Sequence, residues 1–216
     1  MKLSKRLSAI ADMVTPGSIV CDVGTDHAFL PIELIKSGKI PSAIAMDINK
    51  GPLERAVRHI KTNNLEKQIE CRISDGLDEL EKGEADCAVI AGMGGDLISA
   101  ILFRCPDKVD ELVLSPHTHY ETVRKALYEL CYTIIAENMI IEDDKFYLII
   151  KAIKTEKCNN NTDSVKYNYF GEYLIKQKNR VLLQYLKREE EKYRTIPQKS
   201  DYLLIVRDAI REIKDD

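Results

Sequence analysis

Five short apolar runs at near-regular intervals constrain this chain more than any other feature. Ile19 to Val23, Ala43 to Asp47, Ile69 to Ile73, Ala85 to Ala91 and Glu111 to Leu114 read as strands, with roughly 10- to 25-residue helical or turn segments between them. That rhythm describes a parallel sheet whose crossover helices cover both faces, since a parallel connection must return across the sheet. The expected fold class is therefore α/β and Rossmann-like. Leu3, Leu7, Ile10, Ala11 and Val14 recur at helical spacing before Pro16-Gly17, which predicts an opening helix over residues 3–14. Pro31, Gly51-Pro52 and Asp96 mark further helix starts.

Beyond the fifth run, Thr118 to Leu130 reads as a helix, and Tyr132 to Ile140 and Lys145 to Ile153 as a closing hairpin around a polar turn. Lys154 to Asp163, with Asn159-Asn160-Asn161, has little to bury and reads as a linker. Tyr169, Tyr173, Leu174, Val181, Leu182, Tyr185 and Leu186 then return to helical spacing, and Tyr202 to Ile213 begins a second stretch after Pro197. The expected organisation is a domain over 1–153, a linker over 154–163 and a helical appendage over 164–216.

At 44% hydrophobic and 31% charged, the composition is that of a globular protein, and no apolar run nears the ~20 residues that span a bilayer. The start, Met1-Lys2-Leu3-Ser4-Lys5-Arg6 with Asp12 soon after, does not read as a signal peptide, so a cytoplasmic location and no membrane partner are expected. Cys21, Cys71, Cys87, Cys105, Cys131 and Cys158 form no C-x-x-C pair; reduced thiols and no metal site are expected. The net charge is −3, but residues from Lys151 onward hold 15 basic and 11 acidic side chains, a balance of +4 that leaves −7 for the first 150. Within Lys166 to Arg188, six basic residues face Glu172 alone. Such a density suits phosphates, although a solvated helix face is the simpler reading of charge by itself.

The chemistry concentrates where the first strand runs into Asp22-Val23-Gly24-Thr25-Asp26-His27-Ala28. Ligands of open α/β sheets bind at the carboxyl ends of the strands. A dinucleotide site would carry G-x-G-x-x-G here, whereas this turn has one glycine and two carboxylates. Carboxylates repel a pyrophosphate but attract the ammonium and sulfonium charges of S-adenosylmethionine, the expected cofactor. Asp47 ends the second strand, where a ribose hydroxyl pair is usually held, with Ile48 after it. Asp75-Gly76 ends the third and offers an acceptor for an exocyclic amine, or a helix cap. Ala91-Gly92-Met93-Gly94-Gly95 follows the fourth, and so little side-chain volume implies a ligand close to the backbone. His27 completes the cofactor candidates. His117, in Ser115-Pro116-His117-Thr118-His119 after the fifth strand, is a candidate for contact with substrate.

Together these motifs resemble the bacterial TrmK family of tRNA adenine-22 N1-methyltransferases. The likeness rests on Leu3 to Leu7, on Asp22 to Pro31, on Gly51-Pro52, on Asp75-Gly76-Leu77 and on Ala91 to Gly95 with Leu97-Ile98, and spans residues 3 to about 153. It implies methyl transfer to N1 of an adenine in tRNA, with a helical, coiled-coil-like tail. N1 already carries a lone pair, so the site must align it and tolerate a positive charge moving onto the base. On this footing Asp26 and His117 are the catalytic candidates, and Lys5, Arg6, Lys176, Lys178, Arg180, Lys187 and Arg188 the RNA-binding ones, in a monomer or weak homodimer. Two positions depart: Asp47 stands where the family often has Glu, and Ser115-Pro116-His117 where it typically reads Gln-Pro-Asn. The altered loop keeps open a noncatalytic protein that binds cofactor and RNA, and a small-molecule methyltransferase is the third reading.

Overall fold

The structure, a computed structural model, describes residues 3–156, 158 and 164–215. Most of the expected linker, Lys157 and 159–163, lies outside the described residues. Strands β1 (Val20–Val23), β2 (Ala43–Asp47), β3 (Ile69–Ile73), β4 (Cys87–Ala91), β5 (Glu111–Ser115), β6 (Tyr132–Glu142) and β7 (Lys145–Lys154) build one sheet in the order β3-β2-β1-β4-β5-β7-β6. The first five are mutually parallel, and β7 inserts antiparallel between β5 and β6. The chain reverses its strand order between β1 and β4, which opens a crevice at the carboxyl edge.

Alternation along the strands sorts the core into two layers. Ala43, Ala45, Cys87, Val89 and Val113 face α1 (Lys5–Met13), α2 (Phe29–Lys36) and α3 (Lys50–Thr62) on one side. Ile44, Met46, Ala88, Ile90, Leu112 and Leu114 face α4 (Gly95–Arg104) and α5 (Tyr120–Glu129) on the other. Such runs are apolar throughout because both faces are covered.

The basic tail folds as α6 (Val165–Phe170), α7 (Glu172–Lys176), α8 (Arg180–Tyr193) and α9 (Ser200–Lys214). Tyr202 donates to Glu189 at 2.7 Å and Arg207 pairs with Glu190 at 2.8 Å, which registers α8 against α9 as a helical hairpin. The tail is packed into the larger core: Phe170, Leu174, Leu182 and Leu186 are buried in the same cluster as Leu148 and Ile150 of β7. Burying each such side chain stabilises by about 1.5–3 kcal/mol, so losing four removes about as much as a whole domain's net stability. A chain ending at Lys154 is therefore expected to lose its cooperative thermal transition; a native-like melt in circular dichroism would show that the sheet stands without the tail.

One expectation is corrected. Cys131, in the left-handed conformation just past α5, and Cys158 are joined in a disulfide with a Cα–Cα distance of 4.3 Å, while Cys21, Cys71, Cys87 and Cys105 remain thiols. The two cysteines lie 27 residues apart, and only the return of β7 brings them together. Among the described residues no cluster could hold a metal ion, and no helix is long and apolar enough to cross a membrane.

Candidate active site

The β1–α2 turn is shaped by glycine chemistry. Gly24 has φ +77°, and its amide and that of Thr25 both donate to the Met46 carbonyl of β2 at 2.8 and 2.9 Å. A side chain on Gly24 would strain the backbone and run into the Met93 methyl at 2.5 Å. The opening that results is a cavity of about 210 Å³ bounded by Asp22, Gly24, Asp26, His27, Ala91 and Arg6. Asp22 forms its buried floor. Burial pushes its carboxyl up to about 6, the charge of Asp47 pushes the same way, and the Thr25 hydroxyl opposes both.

The remaining candidates divide by what their polar groups touch. Asp47 accepts from the Asn49 amide at 2.7 Å through Oδ1, and Ile48, Ile73 and Leu97 are all at least half exposed. Asp75 is held 3.0 Å from Arg104, and the residues after it form turns, which removes the helix-cap reading. Gly76 packs on Ile101, where its φ of +65° turns the chain back beneath the site.

Asp26 does not cap α2, whose N-cap is Ala28 without a side-chain bond. Its carboxylate takes Arg55 of α3 through Nε at 3.1 Å and through Nη2, and lies 3.3 Å from His27 Nε2. The His27 ring packs in a three-ring cluster with Phe29 at 4.8 Å and His59 at 5.0 Å, which also lie 5.3 Å from each other, and its buried Nδ1 has no partner among the described residues. Arg55 was invisible to sequence reasoning because only the packing of α3 beside the turn brings it there.

On the far side of the pocket two loops are stitched together. Gly92 N donates to Ser115 O at 3.2 Å, His117 N to Met93 O at 2.8 Å, and Gly95 N to Thr118 O at 3.0 Å. Gly94 and Gly95 permit this approach: a Cβ on Gly95 would strike the carbonyl oxygens of Thr118 and His119. Ser115 is fully buried with an unpartnered hydroxyl among the described residues, whereas His117 is exposed. Of the two substituted positions, only His117 can therefore meet a ligand. Arg6 Nη1 donates to His117 Nε2 at 2.9 Å, and its guanidinium lies 5.3 Å from the centre of the Tyr147 ring. Burial, the Arg6 charge and the Lys145 charge all lower the His117 pKa. The imidazole is thus a neutral acceptor at Nε2.

The proposed RNA contacts are unequal. Lys5, Arg180 and Lys187 are exposed, and Arg188 stacks on Phe146 at 4.9 Å while donating to Asp144 O at 3.1 Å. Lys176 pairs with Glu172, and Lys178 donates to the Asp215 carbonyl at 2.6 Å. Opposite charges that are distant in sequence or on the next turn of helix already hold part of the tail's excess.

A doubly wound sheet with an antiparallel seventh strand, and a glycine-cut cavity floored by a buried carboxylate, define a class I methyltransferase domain. Residues 3–150 match the family model described as a methyltransferase domain. The chain belongs to the family of bacterial tRNA (adenine(22)-N(1))-methyltransferases: it is 36% identical over 210 residues to the Bacillus subtilis enzyme of that name, covering 93% of this chain and 88% of that one. A Streptococcus pneumoniae structure described as a putative tRNA (m1A22) methyltransferase in complex with S-adenosyl-L-methionine superposes with a TM-score of 0.84 at 33% identity, covering 99% and 98% of the two chains. The Mycoplasma capricolum TrmK structure with S-adenosyl-homocysteine gives 0.82 at 28%, over 99% and 97%.

Proposed function

We propose that this chain transfers a methyl group from S-adenosylmethionine to N1 of an adenine in tRNA, at position 22 as in its relatives. The observation that carries the reading is the buried Asp22 carboxylate beneath a cavity that a single Cβ on Gly24 would invade. A cation fits such a floor and a pyrophosphate does not. Asp47 accepts from ribose hydroxyls, Ile48 covers the purine, and the Asp75-Gly76 turn meets its edge. Ala91 to Gly94 carry the backbone past the cofactor, and His27 supports the opposite wall. When bound, S-adenosylmethionine supplies an electrophilic methyl group.

The protein's own work is placement. N1 needs no base to become a nucleophile, so the groups that matter hold the target in line and exclude water. Asp26 acts through its tie to Arg55, fixing the wall that faces the incoming base. His117 meets that base from the other side. N1 lies on the pairing edge, so the adenine must be unpaired or flipped, and a surface around the pocket must hold the folded RNA. Lys5, Arg180 and Lys187 present exposed donors for phosphates, Arg6 and Arg188 offer the guanidinium N–H groups that His117 and Asp144 leave unused, and Lys176 and Lys178 contribute once RNA displaces their present partners. A tRNA substrate implies a cytoplasmic site of action, and the acting species is a monomer or weak homodimer.

Incubation with labelled S-adenosylmethionine and unmodified bulk tRNA, followed by digestion to nucleosides, is expected to yield 1-methyladenosine. RNA binding without label incorporation would instead identify a noncatalytic binder, and label on small molecules alone would remove RNA as substrate.

A further inference from the structure

Three residues from three distant segments meet beside the cavity, which Arg6 itself lines: Arg6 of α1, His117 after β5 and Tyr147 of β7. They are brought together by the sheet's register. Leu114 near the end of β5 pairs with Ile150 of antiparallel β7, so Tyr147 projects three residues beyond it, over the carboxyl edge. Its ring meets His117 edge to face at 5.8 Å with an interplanar angle of 63°. Arg6 binds both, and its Nη1 also passes 3.5 Å from where a Cβ would stand on Gly92. The guanidinium therefore links the cofactor cavity to two rings, one half-buried and one exposed.

We propose that Tyr147 is a positioning and specificity residue for the target base, its ring and the His117 imidazole forming an aromatic seat, locked by Arg6, into which an unpaired purine stacks. This rests on the methyl-transfer reading above and adds to it a residue that has no role there. Two physical arguments support the seat. Stacking on an aromatic face holds a base without needing its pairing edge, which must stay free for reaction at N1. The base also becomes cationic as it is methylated, and the π faces of Tyr147 and the neutral His117 set an attraction against the nearby Arg6 charge. A neutral imidazole serves this purpose and an imidazolium does not. Arg6 maintains the neutral form by using the Nε2 lone pair as its acceptor.

The test compares full-length variants on unmodified tRNA, with cofactor affinity measured by calorimetry. Tyr147→Leu is expected to lower kcat about 10-fold or more while leaving S-adenosylmethionine affinity in place, and Tyr147→Phe, which restores a ring, to return kcat to within about threefold of native. A purely structural tyrosine would instead change the melting temperature and cofactor affinity together. Arg6→Gln releases both rings and is expected to lower kcat similarly, with little further loss in the double variant because the residues act as one unit. Tyr147→Leu with native kcat, or losses that add in the double variant, would overturn the seat. Should Tyr147→Leu fail to fold, native kcat in Arg6→Gln overturns it equally. A native chain that methylates no adenine overturns the methyl-transfer reading and the seat with it, whereas an active chain indifferent to Tyr147 overturns the seat alone.

Discussion

Glu137→Ala is expected to destabilise the fold by about 3–5 kcal/mol, the usual cost of leaving one member of a buried ion pair without its partner. Glu137 of β6 and Arg124 of α5 are each only 1% exposed at the side chain, with Nε donating to Oε1 at 2.8 Å and Nη2 at 2.7 Å from the same oxygen. Arg124 also donates through Nη1 to the carbonyls of Asn168 at 3.1 Å and Tyr169 at 3.0 Å, so it is the post on which the end of α6 hangs. Gly171 follows at φ +87°, and a Cβ there would collide with the Glu137 carboxylate. Removing the carboxylate leaves a guanidinium in the core between the sheet and the tail. With net stability of about 5–15 kcal/mol for a domain, the variant loses a large share of what holds it folded. Urea titration should show a lower midpoint at an unchanged slope. The double change Arg124→Met with Glu137→Met should recover most of the loss, since apolar replacements of both members remove the stranded charge. A single variant within about 1 kcal/mol of native would mean that water reaches the guanidinium and the clamp is not closed.

The sheet was legible in the sequence because its information is local. Each parallel strand is an apolar run bounded by turn residues, and Ala43 to Asp47, Ile69 to Ile73 and the hairpin around Asp143-Asp144 stand where their patterns place them. The glycine-bearing turns after β1 and β4 were legible for the same reason. What periodicity does not carry is register between segments far apart. Arg6 meets His117 across 111 residues, and Tyr147 reaches the site only because β7 runs antiparallel between β5 and β6. Charge counting has the matching weakness. It records Lys166 as part of a basic stretch, while the fold pairs it with Asp208 at 2.7 Å and Glu212 at 2.5 Å of α9. The tail's unpaired basic surface is therefore narrower than its composition suggests.

Asp22→Asn separates a carboxylate kept for a ligand from one kept for the fold. In the cofactor-free chain the Asp22 carboxyl is raised from its ordinary 3.8 to about 6, mostly by burial. The sign of the linkage follows: ionising it costs folding free energy as pH rises from about 4 to 6, and above 6 that cost is complete, on the order of 2–3 kcal/mol. A neutral isostere avoids the cost, so Asp22→Asn is expected to raise the melting temperature at pH 7.5. A bound cation, in contrast, needs the charged form. Affinity for S-adenosylmethionine should then fall by about 10- to 150-fold in the variant, the range set by losing a hydrogen bond to a charged group. In the native chain affinity should weaken as pH drops through 6, approaching tenfold per unit, because binding must first release the proton. The variant, with nothing there to titrate, should lose that slope. Calorimetry at pH 5, 6 and 7.5 beside thermal melts measures all three. A variant that is less stable, binds as well as native and keeps the pH slope would make Asp22 a structural carboxylate, and the cavity above it would lose its argument for a cation. A more stable chain with a weaker, pH-independent site is the outcome the buried charge requires.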